Sequence, residues 1–134
     1  MTSENNGRVR DCMKPDVTEV DGRMDVLSAM RVMKEVGATS LIVKRRDEND
    51  EYGLLLFSDI ARRVIGEDRA PERVNVYEIM AKPVITVRPD MHIRYCARLF
   101  ENFGIGHAPV EEDGKIIGMV SYYRLVLYGL PNLD

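Results

Sequence analysis

The sequence predicts an α/β (α+β) protein made of two β-α-β-β-α repeats packed sheet to sheet with pseudo-twofold symmetry. Three observations predict it. First, residues 9–43 align without a gap on residues 76–110 at an offset of 67, with eight identities: Val9/Val76, Met13/Met80, Val17/Val84, Val20/Val87, Met24/Met91, Arg31/Arg98, Gly37/Gly104 and Val43/Val110. Second, Val26/Ile93, Ala29/Cys96, Met33/Phe100 and Val36/Phe103 are apolar in both copies at helical spacing. Third, after a loop two residues longer in the first copy, the offset becomes 65, and Gly53-Leu54-Leu55 falls on Gly118-Met119-Val120. Self-similarity at a fixed period marks a repeat architecture.

Residues 1–8 are polar and read as a disordered tail, unlike a signal peptide. The first copy spans 9–66. Its helix carries Val26, Ala29, Met30, Met33 and Val36 on one face, and Gly37 suits a left-handed C-terminal cap. Ser40–Lys44 and Tyr52–Phe57 read as short strands around a charged turn, and Ser58–Ile65 as the closing helix. Residues 67–75 are polar, contain Pro71 and read as a linker. Asn75 and Glu78 form a capping pair for a short helix ending near Met80.

The second copy spans 76–130. Asp90 reads as the cap of a helix with Ile93, Cys96, Ala97, Phe100 and Phe103 on its apolar face, ended by Gly104. Ala108–Glu111 and Ile116–Ser121 are strands around a Glu112-Asp113-Gly114 hairpin turn, and Tyr122–Leu130 closes the copy. One copy has too small a sheet to bury both faces. Two copies packed together share a core and leave two equivalent clefts, the kind of place where ligands bind.

Composition narrows the function. The 134 residues are 45% hydrophobic and 31% charged, with a formal net charge of -3. No broad basic surface is implied, so nucleic acid is not an expected partner. No apolar run reaches the roughly 20 residues that cross a bilayer, so no membrane role is expected. Cys12 and Cys96 fit no metal or redox spacing and read as buried, reduced thiols in a cytoplasmic protein. No nucleophile–base pair, metal-ligand cluster or phosphate loop stands out. The expectation is a non-enzyme with no catalytic residue, no metal and no required cofactor.

The stretches Tyr52–Ile60, Ile79–Val87 and Gly106–Val110 before Gly118 resemble a tandem pair of cystathionine-β-synthase (CBS) domains, a Bateman module. The resemblance covers about Val9 to Val126. It implies regulatory binding of an adenosine-containing ligand (AMP, ADP, ATP, NAD or S-adenosylmethionine) in a cleft between the repeats. It also implies pairing through outer helices into a homodimer.

The family pattern places a Ser/Thr and an Asp after the glycine-led strand, the Asp accepting from the ribose hydroxyls. In the first copy Asp59 is present, Leu56 stands at the Ser/Thr position, and Ser58 is the partial substitute. In the second, Ser121 is present but Arg124 stands where the Asp would be. The resemblance therefore ranks the Asp59 cleft first, completed by backbone near Val84 and Ile85 and near Gly106 and His107. It leaves Arg124 as a phosphate contact or a plain helix residue, and His107 as a phosphate contact or a strand-end histidine. Two alternatives stay open: Asp59 as a helix cap, and the module as a ligand-free scaffold for an unknown protein partner.

Overall fold

In the computed structural model, which describes residues 7–133, the chain runs α1 (Val9–Cys12), β1 (Glu19–Val20), α2 (Val26–Val36), β2 (Ser40–Val43), β3 (Gly53–Leu56), α3 (Phe57–Ile60), α4 (Val76–Ile79), α5 (Ile93–Phe103), β4 (His107–Glu112), β5 (Lys115–Ser121) and α6 (Tyr122–Arg124). Both α3 and α6 continue into a wider turn, Ala61–Ile65 and Leu125–Gly129. The Gly66 N–H, for example, reaches back five residues to the Ala61 carbonyl at 2.8 Å.

The chain divides into two compact units. One is Thr18–Val84. The other joins the segment up to Val17 with the segment from Ile85 onward. The boundaries do not follow the sequence repeats. Helix α1 belongs to the first copy in sequence yet folds with the second, and α4 does the reverse. The exchange is symmetric: Lys14 bridges Met119, and Ala81 bridges Leu54, both antiparallel. These pairs lie at the same offsets, 67 and 65, as the sequence repeat.

In the Thr18–Val84 unit the strand order is β1-β2-β3. β1 runs parallel to β2, and β3 antiparallel to it with Ser40 opposite Leu56 and Val43 opposite Gly53. α2 buries Val26, Ala29 and Met33 against Val20, Leu41, Val43 and Leu55. The buried stripe is narrower than the sequence suggests, because Met30 and Val36 are 36% and 47% exposed. Asp25 opens α2 by accepting from the Ser28 N–H at 2.9 Å, and Gly37 closes it at φ 70°. The 67–75 segment is mostly exposed but anchored at Val74, which is buried and whose carbonyl accepts from the Val26 N–H at 2.8 Å. The expected capping pair forms at Asn75, with Glu78 Oε2 accepting from the Asn75 N–H at 2.8 Å.

The other unit repeats this plan. α5 buries Ile93, Cys96 and Phe100, the three positions 67 beyond those of α2, and ends at Gly104 with φ 64°. Phe103 is 62% exposed and leaves the expected apolar face. The N-cap is His92, whose Nδ1 accepts from the Arg94 N–H at 3.1 Å; Asp90 lies two residues too early to cap. Residues 7 and 8 are part of the fold, correcting the expected tail: the Ile93 N–H, otherwise an orphan at a helix start, donates to the Gly7 carbonyl at 2.9 Å, and Arg8 bridges His92. Residues 1–6 lie outside the described residues. β4 and β5 pair as a hairpin turned by Asp113 and Gly114, both at positive φ as a two-residue type I′ turn requires.

The second copy lacks its expected first strand. Only Val87 bridges Val110, with the Val87 N–H donating to Pro109 and the Glu111 N–H donating to Val87. In the first copy the Ile42 N–H donates to the Thr18 carbonyl at 2.9 Å. The residue at the Ile42 position is Pro109, which has no N–H to give Ile85. The ladder therefore shortens to one rung.

The exchanged segments enter over glycines. A Cβ on Gly118 would lie 2.6 Å from Met13 Sδ and 2.9 Å from the Lys14 carbonyl oxygen. One on Gly53 would meet Met80 Sδ at 2.6 Å but the Ala81 carbonyl oxygen only at 3.4 Å. A thioether can swing aside; a backbone carbonyl in a ladder cannot. Gly118→Ala is expected to cost about 1–3 kcal/mol, and Gly53→Ala less, read as the difference in urea unfolding free energy.

Candidate functional site

The turn from β3 into α3 places Asp59. Leu56 is extended at φ -111°, ψ 156°, the helix starts at Phe57, and Asp59 is its third residue. The helix thus starts three residues earlier than a cap at Asp59 before Ile60 requires. Asp59 still caps, from inside: Oδ2 accepts from the Leu56 N–H at 2.9 Å. Oδ1 accepts from Arg62 Nη2 at 3.1 Å. At 9% exposure Asp59 is the only buried charged residue among the described residues. Each carboxylate oxygen keeps a second lone pair. The Arg62 side chain is 67% exposed and can leave. Ser58, next to it, is exposed.

The matching end of the other unit has the same frame with different groups. The Tyr122 N–H donates to the Gly106 carbonyl at 3.2 Å, as the Phe57 N–H donates to Thr39 at 3.2 Å. His107 lies opposite Ser121 across the β4–β5 pair, as Ser40 lies opposite Leu56. The structure thus brings Gly106, His107, Ser121 and Arg124 to one end of one hairpin, and Ser58 and Asp59 to the equivalent end of the other sheet. It adds Thr39 and Ser40 beside Asp59. Neither stood out in the sequence, but both lie 67 residues before Gly106 and His107, a signal the repeat carried. Val84 and Ile85 are half-buried and sit in irregular chain where one unit passes into the other.

Arg124 occupies the position of Asp59 but serves another purpose. Its Nε donates to the Cys12 carbonyl at 2.8 Å and its Nη2 to the Met13 carbonyl at 3.1 Å, and the guanidinium lies 4.1 Å above the Tyr128 ring. Half-exposed and in no ion pair within 4.0 Å among the described residues, it holds the end of α1. Ser121 Oγ accepts from the Arg124 N–H at 3.2 Å, so this hydroxyl caps α6. Burial holds the His107 imidazole below its ordinary pKa, so at neutral pH it offers a neutral N–H rather than a cation.

The thiols are buried. Burial, opposed by Arg124, pushes Cys12 up to about 11, and burial with the neighbouring Cys12 pushes Cys96 to about 12. Both folded values lie above the ordinary 9.0. The unfolded chain therefore loses these protons first. The stability they contribute is full below pH 9 and drains away as pH rises toward 11 and 12. Urea titrations across that window should show falling stability, with a shallower fall in Cys96→Ala.

Among the described residues, no group of three or more His, Cys, Asp or Glu is placed to hold a metal ion. No helix among them is long and apolar enough to cross a membrane.

A family model for the CBS domain matches residues 9–66 and again residues 76–130. The chain belongs to the CBS domain family. It is similar to the hexameric CBS-CP12 protein of bloom-forming cyanobacteria, at 34% identity and a TM-score of 0.89, over 91% of this chain and 70% of that one. It is 36% identical over 117 residues to a homoserine O-acetyltransferase of Methanosalsum zhilinae, covering 87% of this chain and 23% of that protein. The CBS domain pair of protein MJ0100, in complex with 5′-methylthioadenosine and S-adenosyl-L-methionine, aligns at 20% identity and a TM-score of 0.75, over 89% of this chain and 92% of that one; the likeness there is one of fold. The chain spans 45%, 23% and 22% of the first curated relatives it matches, less than half of each. The tandem CBS repeats are those that the offset of 67 anticipates.

Proposed function

We infer that this CBS pair is a non-enzymatic regulatory module that binds an adenosine-containing ligand, with Asp59 as the ribose acceptor. The buried Asp59 carboxylate carries the reading. A charged group is costly to keep from water unless it is paired. Here a strand end and a helix start hold one with lone pairs remaining, at the family's ribose-binding position. A fixed carboxylate offers paired acceptors to a cis-diol. The MJ0100 pair, with its two adenosyl ligands, supports the ligand class. Ser58 stands beside Asp59 as the hydroxyl contact, and Val84 of the same unit as a backbone contact. Because Arg124 holds α1, the second copy offers no ribose acceptor, and the module takes a single equivalent. The buried, reduced thiols fit a cytoplasmic setting.

The test is calorimetric titration of AMP, ATP, NAD and S-adenosylmethionine into wild type and Asp59→Ala. We expect the variant to weaken the best ligand at least about tenfold, the loss of charge-assisted hydrogen bonds, with unfolding stability lower by about 0.5–2 kcal/mol from the lost cap. Unchanged affinity would put the ligand elsewhere.

One observation favours a second reading, a scaffold acting through self-association. Tyr123, Val126, Leu127 and Leu130, on α6 and beyond, are 49–64% exposed. Exposed apolar clusters of this kind mark interaction surfaces. A homodimer whose mass in light scattering is the same with and without nucleotide would favour the scaffold over the sensor.

A further inference from the structure

The Thr18–Val84 unit carries a cavity of about 800 Å³ at the end of its sheet remote from Asp59. Its position follows from the register. Val43 pairs with Gly53 at this end and Ser40 with Leu56 at the other, so the two ends are three strand steps apart, about 10 Å. The cavity lies where β1 and β2 end, and Asp59 where β3 ends. Its volume falls within the range of small-molecule sites.

The wall is cationic. Arg23, Lys44, Arg45, Arg46 and Lys82 line it, and Asp21 is the only acidic lining residue. Asp21 is committed to Arg23, accepting from the Arg23 N–H at 2.8 Å, Nε at 3.1 Å and Nη2 at 3.0 Å. Asp50, just outside, accepts from the Arg46 N–H at 2.9 Å, Arg46 Nε at 3.0 Å and Lys82 Nζ at 2.8 Å. Asp47 also acts on Arg46. Among the described residues Lys44 and Arg45 make no ion pair within 4.0 Å, although Lys44 lies close enough to act on Asp21; the Arg45 guanidinium lies 4.8 Å above the Tyr52 ring. Both follow the end of β2, line the cavity and are exposed. Five cations against Asp21 make the lining itself net positive, while Asp47, Glu48, Asp50 and Glu51 of the following turn lie outside it, in a chain whose net charge is -3. The remaining wall is apolar: Val43, Met80 and the half-exposed ring of Tyr77.

We propose that this cavity is a second ligand site, for a small polyanion bearing linked phosphoryl groups. Two unpaired cations beside a pre-arranged Arg46–Asp50–Lys82 cluster match a ligand with several separated anionic oxygens, the lysine as a point charge and the arginine as a fork. The site does not depend on the reading of Asp59, because the two share no residue.

Inorganic tripolyphosphate is the probe, titrated by calorimetry into the whole chain. Wild type should bind it below about 1 mM, and raising NaCl from about 0.05 to 0.5 M should weaken binding at least tenfold as the exposed charges are screened. The double variant Lys44→Ala/Arg45→Ala should bind at least about tenfold more weakly, having lost two charge-assisted contacts. Asp59→Ala and a surface control, Arg88→Ala/Arg98→Ala, should stay within about twofold of wild type. The charge-keeping variant Lys44→Arg/Arg45→Lys, which unfolds at the wild-type midpoint if the fold is intact, should retain most of the binding. No binding to wild type, or equal weakening in the Arg88/Arg98 control, would overturn the site. So would wild-type affinity in the Lys44/Arg45 alanine variant.

Discussion

Phe100→Ala should lower the free energy of unfolding by about 3–5 kcal/mol, the range for emptying a buried aromatic position. Phe100 is the largest fully buried side chain among the described residues, at 0% exposure. It is the second copy's counterpart of Met33 and packs edge to face on Tyr122, with ring centroids 5.2 Å apart and planes at 85°. Truncation removes the apolar contacts and the ring pair together, and the core around it, with Val87, Cys96, Ala108, Val110 and Val120, cannot collapse to fill the space. Three residues on along the same helix, Phe103 is 62% exposed. Phe103→Ala should change stability by no more than about 0.5 kcal/mol. Urea unfolding of the two variants, followed by far-UV circular dichroism, checks both; similar losses would mean that α5 does not face the core as described.

Arg124→Met should cost about 2–3 kcal/mol. Hydrogen bonds to a charged group are worth about 1.5–3 kcal/mol each, and the total falls short of the sum of two because the side chain is half-exposed and water screens it. The substitution keeps the apolar stem but leaves the Cys12 and Met13 carbonyls without their donors. It also removes the cation over Tyr128. Arg124→Lys should recover less than half of the loss, because one ammonium cannot reproduce a fork aimed at two carbonyls. Full recovery by lysine would show that charge alone, and not the two-pronged geometry, holds α1. Hydrogen exchange at the Lys14 amide, which donates to Met119 at 2.8 Å, reports directly on whether the α1 segment has loosened.

The helices were legible because their chemistry is local. Val26/Ile93, Ala29/Cys96 and Met33/Phe100 stand at helical spacing in the sequence and are buried in the structure, and Gly37 and Gly104 end both helices in the left-handed region as glycine allows. The hairpin at Asp113-Gly114 was legible for the same reason. What the local pattern missed depends on partners far along the chain. The bridge of Lys14 to Met119 and that of Ala81 to Leu54 are single rungs without periodicity, so nothing near α1 or α4 announces that each joins the other copy's sheet. Arg124 reads as a surface residue on a helix, and only its contacts with residues 111 and 112 positions away reveal it as a clamp. The missing strand before Val87 was within reach: Pro109 stands at the position of Ile42, and a proline there cannot complete the ladder.

At the site the division is similar. Asp59 was found from its place after the glycine-led strand, and its burial adds the physical reason to single it out. Its cap to Leu56 and its pairing with Arg62 could not be read, since both depend on where α3 starts. The two copies have diverged in what their equivalent ends do. One keeps a carboxylate with accepting capacity, and the other has turned that position into a brace for an exchanged segment. A ligand can shift a conformational equilibrium only through its differential affinity for the two states, so a regulatory role rests on the one end that still has something to bind with.

In the proposed function this module captures an adenosyl compound and leaves it chemically unchanged. Native mass spectrometry of the chain, incubated with AMP, ATP, NAD and S-adenosylmethionine at about 0.1 mM each, well above a micromolar affinity, tests it most directly. A single intact ligand retained per chain, lost in Asp59→Ala, is the expected result. Bare protein with all four compounds, or a converted product in place of the ligand, would contradict it.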